Sequence, residues 1–329
     1  MYKPVFLLLA LSLLADRAFA QLNNHDSPDE LRSAARALTV GDLLGLAQPA
    51  GEGNTHSQLL LGISLQLMAE RDQHAAKESG ASRLAAYWLR QAADKGSAPA
   101  QYFLAQLDIE RVFVFDTEGC GEVSTLLDKA VAQQYLPAVT ALGVRYMEGG
   151  CGFKVDYPSG LSLLRKASAT GEPEANYWLG VSHQKGLGVR ADQGEANRWF
   201  LMGADMDNAA CQNALGINVA EGRGTRKNQT EAVEWFRKSA EQGNSEAACN
   251  LAIHYQRGQG AARDEALVLM WGLISDRNAI GGYYCLDHIE IPMLPKEQVT
   301  EATQRANAWL TAHHYPTTPP PEYTPTEPK

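Results

Sequence analysis

Apolar and small residues recur along the chain with the spacing of amphipathic helices, and short glycine-rich turns separate these segments. In the clearest stretch, the apolar residues of segment 231–240 are three and seven positions apart, which places them on one helix face. Gly243 follows as the expected end of this helix, and a second apolar stripe runs from Ser245 to Arg257. The pattern therefore predicts two antiparallel helices that form one hairpin.

One phrase of this pattern returns along most of the chain. It reads Gly-Asn-x-x-(Ala/Ser)-x-x-x-Leu-(Gly/Ala), and its leucine lies at positions 61, 104, 142, 179, 215 and 251. The steps between these leucines are 43, 38, 37, 36 and 36 residues. A repeat of this length predicts hairpins that stack on one another, because a single hairpin cannot bury its own apolar faces.

The residues around the phrase resemble a known family. The extended pattern Glu-Ala-x-x-Trp-Phe-x-x-(Ala/Ser)-Ala-x-x-Gly-Asn-x-x-Ala-x-x-x-Leu-Ala-x-x-Tyr-x-x-Gly-x-Gly is similar to the Sel1-like repeat, a relative of the tetratricopeptide repeat, over residues 28–312. The resemblance implies an all-α fold, a right-handed α-solenoid of stacked antiparallel helical hairpins. It also implies a concave surface that holds protein partners.

Both ends of the chain differ from the repeat. Residues 1–20 contain Lys3, an apolar run and the small-residue site Ala18-Phe19-Ala20, a pattern typical of a secretory signal that is cleaved. We therefore expect a periplasmic protein. Residues 21–312 should form a single solenoid, with capping helices at 28–47 and 294–310. Residues 313–329 should form a disordered tail, because six of the fifteen prolines lie there.

The net charge of the chain limits the classes of partner that it is suited to bind. The net charge is −9, which argues against nucleic acid and against anionic lipid as partners. An acidic surface is compatible with a basic protein partner. We expect a monomer when unbound, with no direct insertion into a membrane.

Catalytic and metal-binding motifs are missing from the sequence. The chain has no His-Glu-x-x-His, Gly-x-Ser-x-Gly, Gly-x-x-x-x-Gly-Lys-(Ser/Thr) or Cys-x-x-Cys segment, and its eight histidines are scattered without ligand spacing. The sequence therefore predicts a protein that is not an enzyme and holds neither cofactor nor metal.

Places where the period slips are candidates for partner binding, because packing already explains the regular positions. One is a polar insertion between Arg71 and Ala81, and another is segment 111–118, where a polar turn is expected and four consecutive apolar residues occur. Its phenylalanines either fold back onto the neighbouring hairpin, which we favour, or face a partner. A concave binding face would add cations from the first helices. The candidate residues are Arg111, Phe113, Phe115, Asp116, Glu118, Arg90, Lys129, Arg165 and Arg198.

Five cysteines remain in a chain that should meet an oxidising compartment. Cys120 precedes one helix and Cys151 follows its antiparallel partner, so we predict a disulfide between them. Cys249 and Cys285 occupy equivalent sites 36 residues apart, on helices that we expect to lie too far apart for a disulfide. Cys211, Cys249 and Cys285 are therefore predicted to be buried thiols.

The resemblance also suggests specific functions. Secreted Sel1-like proteins include immunity proteins that neutralise phospholipase effectors of type VI secretion, and this interpretation fits a chain with a signal, no lipid anchor and an acidic surface. An envelope scaffold or adaptor for a secretion or polysaccharide-export complex is one alternative. A β-lactam-hydrolysing protein is another, although those relatives carry a cysteine pair in every repeat and this chain does not.

Overall fold

The structure, a computed structural model, describes residues 26–71, 80–114, 122–278, 285–287, 289 and 294–313. These residues divide into two compact units, one up to residue 170 and one from residue 171. The first unit contains α1 (Pro28–Arg36), α2 (Val40–Gly51), α3 (Thr55–Arg71), α4 (Ala81–Asp94), α5 (Ala98–Val114), α6 (Val123–Ala132), α7 (Leu136–Glu148) and α8 (Tyr157–Ala169). The second contains α9 (Pro173–Lys185), α10 (Gln193–Ala204), α11 (Ala209–Glu221), α12 (Gln229–Glu241), α13 (Ser245–Arg257), α14 (Glu265–Asn278), a 3₁₀ turn (Cys285–Asp287) and α15 (Lys296–Ala312).

Helix α1 packs against α3, and from α2 onward consecutive helices within each unit pack against each other and build stacked helical hairpins. This confirms the predicted class, an all-α solenoid of antiparallel helical hairpins. The best-defined hairpin is predicted almost to the residue, since α12 covers the expected helix 231–240 and α13 has the expected limits. The closing helix, expected at 294–310, is α15. The predicted signal at residues 1–20 and the tail from residue 314 lie outside the described residues.

The first capping helix was wrongly predicted to be continuous from Pro28 to Ala47. The structure has two helices there, because Thr39 caps the start of α2: its hydroxyl accepts a hydrogen bond from the backbone N–H of Asp42. The Asp42 carboxylate in turn accepts a hydrogen bond from the backbone N–H of Thr39 at 2.8 Å. This reciprocal capping box starts a new helix and ends the continuity of the first.

The helices that follow each glycine-rich turn begin at a short polar side chain. An Asp or Asn side chain accepts the backbone N–H three residues ahead, which satisfies a donor that the helix itself leaves unpaired. These caps are Asp156, Asp192, Asn228 and Asp264, at steps of 36 residues. The repeat therefore sets the start of each helix as well as its apolar face.

A large buried residue anchors α4, α6, α8, α10 and α12, whereas α14 has Gly272 at the equivalent position. Equivalent positions hold Leu89, Leu127, Leu164, Phe200 and Phe236, whose exposed fractions are 0, 0, 0, 0 and 1%. Phe236 lies over Gly216, where an added Cβ would come within 2.8 Å of the ring, so the phrase ends in a residue small enough for the ring to reach the helix backbone. Burying such a side chain contributes about 1.5–3 kcal/mol, so these contacts are the main stabilising element of the stack.

Tryptophans recur at one phase of the repeat, directly before the anchor position. Trp271 is buried at 6% exposure, and Trp88, Trp199 and Trp235 are half-buried. The fully buried position is taken by the neighbouring leucine or phenylalanine. The tryptophans therefore cover the edge of the core.

Buried glutamines join consecutive helices in both units. The side-chain N–H groups of Gln58, Gln101 and Gln212 each donate to a carbonyl oxygen eight residues earlier, near the end of the preceding helix. Their side-chain oxygens accept hydrogen bonds from the C-cap residues of a later helix, which are Lys95, Gln133 and Gln242. Each buried amide is therefore paired on both sides, as a polar group in a core must be.

Candidate functional site

The four cations predicted for a binding face lie on four different helices. Arg90, Lys129 and Arg165 follow the buried leucines of α4, α6 and α8, on the outward side of each helix. Arg90 forms an ion pair with Glu122. Arg198 on α10 pairs with Glu195 at 2.9 Å, and its side chain is 80% exposed. Exposed pairs of this kind contribute little to stability, so these cations remain available to a partner.

Segment 111–118 differs from its prediction. A turn was expected from Arg111, but α5 continues to Val114, so Arg111 and Phe113 are helical. Uninterrupted apolar residues carry no turn signal, and the helix runs through them. Phe115, Asp116 and Glu118, and the side chains of Arg111 and Phe113, lie outside the described residues. Their contact with a partner remains a prediction.

The prediction that Cys249 and Cys285 are free thiols is wrong. They form a disulfide with a Cα–Cα distance of 5.5 Å. The prediction assumed that Cys285 lies on a second helix of regular spacing. Instead, Cys285 lies in a 3₁₀ turn beside α14, so the usual spacing between neighbouring helices does not hold it away from α13.

Cys211 is a buried free thiol, as predicted. Burial raises the pKa of this thiol far above its ordinary value, and the negative charge of Glu174 raises it further. A thiol that stays protonated is a poor nucleophile and a poor metal ligand, so Cys211 is a packing residue. Cys151 is disulfide-bonded. Its predicted partner Cys120 lies outside the described residues, and that pairing remains a prediction.

A groove opens on the second unit between α9 and α11. Its volume is about 170 Å³. Phe200 and Val181 line its apolar side, while Tyr177 and Glu246 bring polar atoms to it. The remaining lining residues are Gln184, Ala210, Asn213, Ala214, Ile217, Asn218, Arg223 and Asn244.

Hydrogen bonds hold the amide walls of this groove. Gln184 donates to the side-chain oxygen of Asn218 at 3.3 Å, and Asn218 donates to that of Asn197 at 2.7 Å. Asn213 donates to Glu246 at 3.2 Å and accepts from Asn250 at 3.0 Å. These two chains of hydrogen bonds keep polar groups at fixed positions on the groove wall. Sequence reasoning missed these residues, although asparagine within a helix is itself unusual.

His254 is held by packing and hydrogen bonds within its own unit. His254 lies near Phe236, and its ring nitrogens are 2.8 Å from the carbonyl oxygen of Asn250 and 3.0 Å from the side-chain oxygen of Gln229. Among the described residues, no group of three or more His, Cys, Asp or Glu side chains could hold a metal ion. No helix in this part of the chain is long and apolar enough to cross a membrane. The groove itself offers hydrogen-bonding and apolar side chains to a partner.

Comparison with known proteins gives the same repeat. The family model described as Sel1 repeat matches residues 82–97, 136–171, 173–208, 209–244 and 245–271. The Sel1-repeat-containing protein YjcO of Escherichia coli K12 is 32% identical over 126 residues, which cover 37% of this chain and 53% of that protein. The uncharacterized protein YjcO of E. coli O157:H7 gives the same values. The chain thus spans about half the length of the curated relatives it matches.

A solved structure shares the fold. The crystal structure of a Sel1 repeat protein from Oxalobacter formigenes superposes with a TM-score of 0.54, at 22% sequence identity. The superposition covers 80% of this chain and 96% of that chain.

Proposed function

Because this chain is a Sel1-repeat protein, we propose that it works without catalysis in the periplasm, by binding another protein. Sel1 repeats generally mediate protein–protein interactions. The regular positions of the repeat serve packing and capping, which leaves the variable surface for recognition. The signal-like residues 1–20 support the proposed location.

The groove between α9 and α11 is the observation that carries this proposal. Its volume of about 170 Å³ is close to that of a cavity able to hold a benzene-sized group, so it suits one large side chain of a partner. Gln184 and Asn244 on its wall are half-buried, so their amides can bond to backbone groups on either side of that side chain. We propose that an irregular segment of the partner docks here.

For the partner itself, we propose a phospholipase effector of type VI secretion, which this chain would neutralise as an immunity protein. The secretion signature and the acidic surface support this choice, as does the resemblance to secreted Sel1-like immunity proteins. An envelope scaffold would bind a secretion or export component instead. The two functions differ in whether the chain protects cells.

Co-expression tests this proposal. A phospholipase effector is directed to the periplasm, beginning with any phospholipase encoded next to this chain, and cell survival is measured with and without the chain. We expect survival and a stable complex on size-exclusion chromatography. A complex without protection would indicate a scaffold, and the absence of both would contradict the immunity proposal.

One substitution links binding to the groove. Ala214 is half-buried on the groove wall, and Ala214→Arg would fill the groove without removing a bonded amide. Ala169→Arg, at an exposed position on α8, is the matched control. We expect only the groove variant to lose protection. Equal protection by both variants would exclude the groove as the binding site.

A further inference from the structure

Helix α10 carries exposed apolar residues at two positions where α4, α6, α8 and α12 carry polar ones. Two residues follow the buried anchor of each helix, and we call them its outward pair. On α4, α6, α8 and α12 these pairs are Arg90-Gln91, Asp128-Lys129, Arg165-Lys166 and Arg237-Lys238. On α10 the pair is Leu201-Met202. The framework of α10 is otherwise the same, with a buried Phe200 and an Asp192 cap.

A third position changes in the same repeat. It lies four residues after the outward pair and is polar after α4, α6, α8 and α12. The residues there are Lys95, Gln133, Thr170 and Gln242, whereas the equivalent residue after α10 is Met206. Met206 faces Asn176, whose side-chain nitrogen lies 3.6 Å from the methionine sulfur. Asn176 occupies the register of Gln212, which pairs with Gln242. The contact between the two helices is thus kept, but its outer residue is the apolar Met206 in place of a polar side chain.

These three side chains are exposed to solvent. Leu201, Met202 and Met206 retain 43, 48 and 40% of their accessible surface. Met202 and Met206 are four residues apart and Leu201 precedes them directly, so they form one patch, which we call the α10 patch. Neighbouring exposed apolar residues on a soluble protein indicate an interaction site, and methionines suit a surface that adapts to a partner.

Helix α14 shows what covers the same positions elsewhere in this unit. Its equivalent residues are Leu273 and Ile274, which are buried at 9 and 0% exposure. They belong to the core cluster that also contains Ala302 and Ala306 of α15, and α14 packs against α15. On α14 the apolar outward pair is thus part of a core to which an additional helix of the chain, α15, also contributes.

Acidic residues flank the α10 patch. Asp205 and Asp207 are exposed on either side of Met206. Asp207 has a left-handed backbone with φ of 57°, at a register where Gly243 has φ of 91°. An aspartate enters this conformation more readily than most residues, and here it places a second negative charge beside Met206. Arg198 lies one turn earlier and is neutralised by Glu195.

We propose that the α10 patch docks an amphipathic helix of the partner protein, with Lys or Arg on both sides of its apolar face. The proposal rests on the protein-binding function and assigns a second contact, separate from the groove. The acidic flanks favour a basic helix over an anionic membrane. A second copy of this chain would bring like charges together.

Synthetic helical peptides test this surface without knowledge of the partner. Three peptides share a leucine face and carry Lys, Gln or Glu on both flanks, and their binding to the full mature chain is measured by fluorescence anisotropy. We expect the Lys peptide to bind about tenfold more tightly than the Glu peptide at low salt, and this preference to shrink as salt is added.

Transplanted outward pairs provide matched variants. Leu201→Arg with Met202→Lys gives α10 the pair of α8 and α12, and should weaken binding of the Lys peptide about tenfold or more. Arg165→Leu with Lys166→Met makes the opposite exchange on α8, away from Asp205 and Asp207. It should create no comparable preference for the Lys peptide. Circular dichroism confirms that both variants fold.

Other outcomes would overturn the proposal. Equal binding of all three peptides would exclude a basic helix, and unchanged binding after the α10 exchange would exclude the patch. Patch-dependent self-association in sedimentation, or patch-dependent binding to phosphatidylglycerol vesicles, would identify a different occupant. Failure of the peptide test together with groove-dependent protection of cells would refute the α10 patch alone, whereas peptide binding without protection would refute only the immunity function.

Discussion

The hairpins α10–α11 and α12–α13 follow each other in the chain and share one framework. Both begin at an Asp or Asn cap, both bury a phenylalanine, and both end in a Gly-x-Gly turn. Among the positions at which they differ, four registers concern the surface and the covalent link. Leu201-Met202 is replaced by Arg237-Lys238, Met206 by Gln242, Asp207 by Gly243, and Asn213 by the disulfide residue Cys249.

The comparison separates two kinds of residue. The buried phenylalanine, the first-helix cap and the closing Gly-x-Gly turn are common to both hairpins, so they account for the shared fold. The four registers above give each hairpin a surface or a covalent link of its own. Substitutions at each register can show how independent the two groups are.

The largest expected effect is loss of the disulfide that only the second hairpin has. Replacing Cys249 and Cys285 together with Ala should lower the free energy of unfolding by about 3–4 kcal/mol, because the bond closes a long loop in the unfolded chain. Chemical denaturation measures this. Cys211→Ala is the control for losing a buried sulfur, and should cost about 1 kcal/mol. Equal losses in the two variants would show that the link contributes only packing.

A turn shared by both hairpins comes next. Gly260 has φ of 77°, and an added Cβ would lie 2.0 Å from the carbonyl oxygen of Gln229. Gly260→Ala should therefore destabilise by about 2–4 kcal/mol, from backbone strain and overpacking together. Gly258→Ala adds only backbone strain, because the atom nearest to its added Cβ is 3.8 Å away. It should lower the free energy of unfolding by about 1 kcal/mol. Thermal unfolding that failed to rank them this way would remove the close approach as the reason for glycine.

Exchanging Asp207 and Gly243, which open the repeated phrase in the two hairpins, should give two smaller effects on stability that are opposite in sign. Asp207→Gly relieves a left-handed aspartate and should stabilise by at most about 1 kcal/mol, while Gly243→Asp should destabilise by a similar amount. We also expect Asp207→Gly to weaken binding of the Lys-flanked peptide. A variant that gained stability and kept full binding would show that the charge has no role.

The smallest effect concerns the caps, where Asp192 of α10 corresponds to Asn228 of α12. The backbone N–H of Glu195 donates to Asp192 and holds the pKa of its carboxyl below the ordinary value of 3.8, helped by the N–H of Gly194 and the charges of His183 and Arg198. Because the folded-state pKa is lowered, this contribution is present above the ordinary value and is lost as pH falls through the folded pKa.

Asp192→Asn tests this sign. The stability advantage of the original chain over Asp192→Asn should shrink as denaturation is measured from neutral pH down to about pH 3. The uncharged Asn cap should be insensitive over that range. A difference that stayed constant would mean that the carboxylate charge does not matter at this cap.

Much of the framework could be predicted from the sequence, because packing is periodic. The limits of α12 and α13 follow from apolar spacing and glycine, and the closing helix α15 from its proline and acidic start. The break before Val40 was missed because the capping box around Thr39 lies within an otherwise helical pattern. At that point the hydrogen bonds of the capping box outweigh the continuous helical pattern, and a new helix begins.

Residues that depend on irregular geometry could not be predicted. The disulfide forms because Cys285 lies in a 3₁₀ turn and not on a helix of regular spacing. The repeat pattern predicted a regular helix at that position and therefore predicted no disulfide. The groove amides depend on neighbours from several helices, which only the fold brings together. Leu201-Met202 was visible in the sequence among basic pairs, but exposure had to be known before the pair could be separated from the core.

The buried glutamine joints also bear on how such a chain can evolve. Gln58, Gln101 and Gln212 each donate to a carbonyl oxygen eight residues earlier, and each accepts from the C-cap side chain of a later helix, an ammonium at Lys95 and an amide at Gln133 and Gln242. A duplication or deletion of one repeat bounded by such joints would therefore bring together surfaces that already fit. Unequal recombination could change the length of the array in whole steps, and each new copy would begin with a finished interface and an unused face open to selection.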